Sequence, residues 1–409
     1  MQKGLVRRRN TAMKKLIALA LLLTVSVTAA ACHSTDEASA TTTPTATTQS
    51  PAPDYRPEVW DGETPAVGTE IADLLAKGND LQSAIDQDSI ALTNMTPYGE
   101  VEGVDKLFNG TLKGDKLGGN IDGTAEITWK TIQSTTVSAY ILITGNDSAD
   151  FGRLPYSWEF FGSNDDGATW ISIDKVEKSG VTKANNAPFG YTVDSPASYT
   201  AYKLAISAVS EDGVTAGGSA LQLNEMILVG SGASPAPEAP IVGSAAINAL
   251  IASGNLTSHV VDPAANNISI WGDGAVVNAF DGNTTSTKMG GGGGGKDAVN
   301  INWITDAAVT VKSYVLYTGS DSGIRGRTPH AWVLFGSNDG ENWDILDFVA
   351  NAGIPNSNST PYGYTVDAPA SYTHYSLCIL SVLNAAGEVE TPGALQFNEL
   401  VLIGEAAKK

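Results

Sequence analysis

The chain has 409 residues, 43 of them glycine and only 17% charged, which exceeds one compact domain and suits a turn-rich, all-β protein. Its 44 acidic residues outnumber 24 basic ones, and six of the latter (Lys3, Arg7, Arg8, Arg9, Lys14, Lys15) precede the first acid, Asp36; without them the balance is 18 − 44 = −26. Such a surface repels phosphate backbones, excluding nucleic acid as a partner, and leaves neutral ligands and divalent cations.

The first segment, "RRRNTAMKKLIALALLLTVSVTAAAC", has a basic flank, an apolar run from Leu16 to Val27 and then small residues. This is an export signal, too short to span a membrane. Ala29-Ala30-Ala31-Cys32 resembles a bacterial lipoprotein processing site, with Ala29 where Leu is usual, which makes Cys32 the lipid-bearing first residue of an outward-facing protein. Ordinary cleavage at the same small residues leaves Cys32 free instead. Residues 1–31 are thus a signal peptide, and 32–66, rich in Thr, Pro, Ala and Ser, a disordered tether. Fully stretched, it reaches on the order of 100 Å.

Beyond the tether the chain repeats itself. "TEIADLLAKG" and "SAAINALIASG" each predict a short helix, with Ile71, Leu74 and Leu75, or Ile247, Leu250 and Ile251, on one face and a glycine stop. "LFNGTLKGDKL" then matches "AFDGNTTSTKM", "AEITW" matches "VNINW", and "AYILITGNDS" matches "SYVLYTGSDS". "RLPYSWEFFGSNDDGATW" (Arg153 to Trp170) is followed by a near copy, "RTPHAWVLFGSNDGENW" (Arg327 to Trp343). The last pair is "ALQLNEMILVG" with "ALQFNELVLIG", and Trp158 and Trp332 set the repeat at 174 residues, a whole domain. Tyr202, Leu204 and Ile206 alternate with Lys203 and Ala205, the pattern of a strand with one face in a core. Asn164 to Gly167 reads as a hairpin turn. The two copies span 67–230 and 243–404, joined by a Pro-rich, semi-rigid linker over 231–242. Cys378 takes the place of Ala205 and reads as a small, half-buried strand residue, so no disulfide framework exists and each copy stands on its own packing.

The ordered set "FDGNTTSTK", "RTPHAW", "GSNDG", "W" and "FNELVL", found twice, resembles the factor V/VIII C-type (discoidin) domain, in particular bacterial carbohydrate-binding modules of family 32. The resemblance implies two tandem galactose-binding-like jelly-roll β-sandwiches covering about four fifths of the chain. It also implies a calcium site built from a "DGN"-like loop and a late Glu: Asp281, Asn283, Thr287 and Glu399 in the second copy, Asn109, Thr111, Asp115 and Glu225 in the first. Asn109 lacks the carboxylate of Asp281, whereas Asp115 carries one that Thr287 does not; Asn109 and Asp281 are equally residues that cap a turn. Arg153 and Arg327 read as fold elements, salt-bridged beside the Trp. Sugar recognition takes an aromatic face and a few polar groups, for which Trp271, Arg325 and His330 are candidates in the second copy and Phe151 and Tyr156 in the first; each also has a plain role in packing its loop.

Other chemical signals are weak. "GGGGGGKD" formally contains a phosphate-loop pattern, but Asp297 follows the Lys and would repel phosphate, so it reads as a floppy loop. The four histidines form no recognisable metal or triad motif. The expectation is a monomeric, non-catalytic surface lipoprotein that meets the membrane only through its lipid and binds a glycan or polysaccharide through two modules. The alternative is an adhesion or structural protein whose modules bind a protein or cell-wall partner.

Overall fold

The computed structural model describes residues 61–272, 274–292 and 298–407; the leader, Cys32 and most of the tether lie outside them. Each copy folds into a β-sandwich. In the first, one layer runs Ile85–Pro97, the 121–131 part of the long strand Leu117–Thr144, Ser198–Ser210, Leu154–Ser163 and Ile171–Val176. The other places Ala220–Ser231 and Pro188–Thr192 beside the 136–144 part of that same strand. Thr136 faces Ser231 and Ile143 faces Glu225, so these neighbours run in opposite directions. The second copy repeats the plan: its long strand, Val299–Thr318, pairs with Ser371–Leu383 early and with Ala394–Ala406 late, and its register slips between Ile304 and Val309. A bulge of this kind lets one strand turn a corner and serve both layers.

The cores explain the repeated residues. Trp129, Tyr202 and Phe160 fill the first sandwich, and Trp303 stacks on Tyr375 at 5.6 Å in the second. The Trp of the repeated "RxPxxW" lies inside and is not left unpaired. Trp158 Nε1 donates to Tyr140 Oη at 2.8 Å, and Tyr140 donates to Asp174 Oδ2 at 2.6 Å. Trp332, Tyr314 and Asp347 form the same chain at 2.7 and 2.6 Å. Burial pushes the Asp347 carboxyl up to about 8, against the Tyr314 bond that favours its charged form. A buried donor or acceptor without its partner costs about 1–3 kcal/mol, which accounts for the joint repetition of Trp, Tyr and Asp.

The expectation of two self-sufficient modules needs amending at their junction. Helix α1 (Glu70–Leu75) buries Ile71, Ala72, Leu74 and Leu75, more than one amphipathic face. It is covered twice: by Ile141, Ile143, Ile227 and Val229 of its own sandwich, and by Val333, Phe335, Cys378 and Leu380 of the other. Helix α2 (Ser244–Ala252), its counterpart, has only its own sandwich beneath it among the described residues, and of its residues only Ile247 is buried. Cys378 is therefore fully buried rather than half-buried, and its thiol is pushed up to about 12 by desolvation.

The sandwiches also begin earlier than expected. Ala66 bridges Gly190, and Ile241 bridges Gly363. The amide of Glu63 donates to Lys178 O at 2.7 Å, and that of Glu238 to Asn351 O at 2.8 Å. The second half of the linker is thus part of the second sandwich.

Candidate functional site

At one end of each sandwich the chain makes a strained Gly-Arg turn. Gly152 and Arg153 have φ of 65° and 60°, Gly326 and Arg327 of 67° and 66°. An arginine in this region costs on the order of 1 kcal/mol and persists where its surroundings hold it. The holder is a buried glutamine. The Gln222 amide donates to Arg153 O at 2.9 Å, and its side chain to Ser148 Oγ at 2.9 Å and Gly152 O at 3.2 Å. Gln396 does the same for Arg327, Ser322 and Gly326. A Cβ at Gly152 would run into the backbone of Glu211, so the glycine is required there.

The turn aims the guanidinium at aromatic rings. Arg153 lies 4.7 Å from the Phe151 centroid and 5.0 Å from that of Tyr98; Arg327 lies 4.3 Å from Trp271. The sequence reading of these arginines as salt-bridged elements beside the Trp does not match: among the described residues neither has an ion pair, and both stack on rings at the sandwich end. In the first copy a cleft of about 390 Å³ opens here, lined by Tyr98, Phe151 and Arg153 with Asn120, Lys183 and Glu211. Phe151 is 54% and Tyr98 45% exposed, so both rings remain available to a ligand.

The other sequence candidates are distributed around this feature. Trp271 lies over Gly290 and Gly292, where added Cβ atoms would meet its ring at 3.4 and 3.0 Å. The start of the expected floppy glycine run is therefore a strand, Met289–Gly292, that serves as the platform for Trp271; residues 293–297 lie outside the described ones. Arg325 is exposed and pairs with Asp321 at 3.3 Å, which also takes Lys288 at 2.6 Å. Tyr156 is buried and donates to Val214 O at 3.1 Å, holding the loop 211–214. His330 stands apart from Trp271, half-buried in a cleft with Leu75 and Ala76, and desolvation holds its imidazole below its ordinary value. Tyr98 was missed. It occupies the place of Trp271, and the different loop lengths before Asn109 and Asp281 hide the match.

The loops proposed for calcium fold alike in both copies. Gly282 N donates to Glu399 Oε2 at 3.0 Å and Gly110 N to Glu225 Oε2 at 2.9 Å. Asp281 accepts from Asn283 N at 2.7 Å and from Thr287 Oγ1 at 2.7 Å. In the first copy the polarity is reversed: Asn109 accepts from Thr111 N at 2.8 Å and donates to Asp115 at 3.4 Å. The second oxygen of the late Glu distinguishes the copies. Gln82 donates to Glu225 Oε1 at 3.1 Å, whereas Glu399 Oε1 is buried with no donor among the described residues. Burial, with Asp281 adding to it, pushes Glu399 up to about 8; burial pushes Glu225 up to about 9. Two facing carboxylates with an orphaned oxygen fit a hard cation in the second copy, and a satisfied Glu fits it less well in the first. No three acidic, imidazole or thiol groups converge among the described residues, so amide, hydroxyl and carbonyl oxygens would complete the shell. Lys116–Asp147 and Lys288–Asp321, both at 2.6 Å, tie each loop to the turn that precedes its arginine.

No protein-family model and no curated protein matches the chain. Solved structures similar to it include the CBM32-1 and CBM32-2 domains of Clostridium perfringens ZmpB, 12% identical over 79% of this chain and 93% of that one, TM-score 0.32. A fucolectin from striped bass (Morone saxatilis) serum is 10% identical over 81% and 100%, TM-score 0.28. CBM32-3 of a family 31 glycoside hydrolase from Clostridium perfringens is 18% identical over 38% and 98%, TM-score 0.32.

Proposed function

We propose that this chain is a non-catalytic, exported lipoprotein that binds neutral carbohydrate at the Arg-bearing ends of its two sandwiches, with calcium bracing the second. The observation that carries the reading is the guanidinium held over aromatic rings, exposed at Phe151 and Tyr98 and half-buried at Trp271, and written twice by a strained turn and a buried glutamine. An aromatic face takes the C–H surface of a pyranose, and a planar fork of N–H donors takes its hydroxyls. Asp150 and Glu211 of the first cleft become Ile324 and Asn384 in the second copy, while the arginine and an aromatic ring persist. Repetition of the binding groups without the carboxylates favours recognition over acid–base catalysis.

A glycan array with the full chain and with Tyr98→Ala and Trp271→Ala tests this. Each substitution should weaken binding on the order of tenfold at its own site. Unchanged binding in both variants would place the site elsewhere, and no binding by the wild type to any glycan would favour the adhesion reading.

Export and anchoring rest on residues 1–32, outside the described ones. The basic flank, apolar run and Ala-Ala-Ala-Cys support them. Cys32→Ser should release the protein into the medium and remove labelling by a fatty-acid analogue; retention of both the label and the membrane fraction would refute lipidation at this residue.

A further inference from the structure

We propose that the cleft between the two sandwiches is a second sugar subsite, built around Trp343 and continuous with the Tyr98–Phe151–Arg153 cleft, so that the preferred ligand is a neutral polysaccharide segment. The inference rests on the reading of that first cleft as a sugar site and extends it.

The junction cleft has a volume of about 540 Å³, in the range that accepts one or two sugar rings. Trp343 forms one wall. Its indole N–H is used internally, donating to Gly340 O at 3.1 Å, and its ring is steadied by Gly68, where a Cβ would lie 3.1 Å from Cδ1. Across from it stand Pro65, Val67 and Val214, the last two 45% and 61% exposed. The counterpart of Trp343 in the first copy shows what is particular here. Trp170 has the Lys203 ammonium 5.1 Å from its ring centroid, whereas the residue matching Lys203 in the second copy is Ser376. Trp343 carries no such cation among the described residues.

Continuity follows from shared loops. Lys183 and Glu211 line the Arg153 cleft; Thr182, Ala184, Gly213 and Val214 line the junction cleft. The ridge between the two sites is thus only the segments 182–184 and 211–214. That ridge is held firm: Asp212 accepts from the amides of Val214 and Thr215, each at 2.8 Å, and Tyr156 donates to Val214 O. A linear chain seated on Tyr98 and Phe151 meets Trp343 after crossing it. Glu63, Glu341 and Asp344 line the junction cleft, with no Lys or Arg among the described residues of its wall, so a uronate at this subsite is disfavoured and a neutral unit preferred.

The test is titration of the full chain with neutral β-linked oligomers of galactan, xylan and chitin, one to eight units long. Wild type should bind longer oligomers more tightly than the monosaccharide. Trp343→Ala should lower affinity about five- to tenfold for the longest oligomers and leave the monosaccharide unchanged. Val214→Glu, at an exposed site that does not threaten folding, should do the same by blocking the cleft. A wild-type affinity that is flat with length, or a length dependence intact in both variants, overturns the subsite. Failure of the wild type to bind any oligomer overturns the sugar reading of the first cleft and this inference together.

Discussion

Val333→Glu is expected to uncouple the two sandwiches, splitting one thermal transition into two and exposing residues 231–237 to protease. Val333 is fully buried beneath α1, in a cluster with Phe335, Cys378 and Leu380. The matching position of the first copy is Glu159, which stands on the polar outer face beside Lys175 and Lys203. The same sheet face is therefore written in two ways, apolar where a neighbour covers it and charged where water does. A glutamate placed at 333 would be buried without a cation, near Asp73 of α1, which already acts on the Cys378 thiol. An uncompensated buried charge costs about 3–5 kcal/mol, more than most junctions between modules can absorb. The reciprocal change, Glu159→Val, should leave stability almost unaltered. A calorimetric trace of Val333→Glu that overlays the wild type would mean that the face is not a packing surface. The first copy's own face is charged at the matching position, and on α2 Asn248 stands where α1 has Ala72.

Much of this was legible in the sequence, and the failures have physical causes. Period-two alternation placed Tyr202, Leu204 and Ile206 inside, and all three are fully buried. The turn at Asn164 to Gly167 forms, with Asp166 and Gly167 at φ of 61° and 86°. The junction escaped because alternation identifies the inward residues and says nothing of what covers the outward ones. Its signal lay in comparing outward positions between copies: Glu159 with Val333, Lys175 with Phe348, Ser207 with Leu380. Likewise Ala66 and Ile241, the bridging residues before each helix, fall in the expected tether and linker because Pro-rich composition masks the repeat of "PAVG" and "PIVG". The arginines were misjudged for a different reason. Repetition marks a residue as architectural, yet a duplicated module also duplicates its binding groups, and only the position of the rings separates the two.

Calcium added to the chelated protein should raise its unfolding temperature, and raise it more at pH 8 than at pH 5. In the chelated protein Glu399 is pushed from 4.5 up to about 8, chiefly by burial, with Asp281 beside it. The folded state thus keeps a proton that the unfolded state releases between those values. Stability contributed by this site is intact below about pH 4.5 and falls by about 1.4 kcal/mol per unit as pH rises toward 8. On the proposed calcium site, a divalent cation would take the place of that proton on the orphaned Glu399 oxygen, so its benefit should grow over the same interval. At a hundredfold excess over Kd the gain is about 2.7 kcal/mol, several degrees in Tm. Glu399→Gln should stabilise the chelated protein at pH 8 and remove the calcium response of the second sandwich. Glu225→Gln should change the calcium response less than Glu399→Gln does, because Gln82 already serves Glu225. Asp347, also pushed up to about 8, imposes a similar slope whether or not calcium is present. The decisive quantity is therefore the calcium-dependent difference: equal shifts at pH 5 and pH 8, or a full shift retained in Glu399→Gln, would remove the cation from this loop.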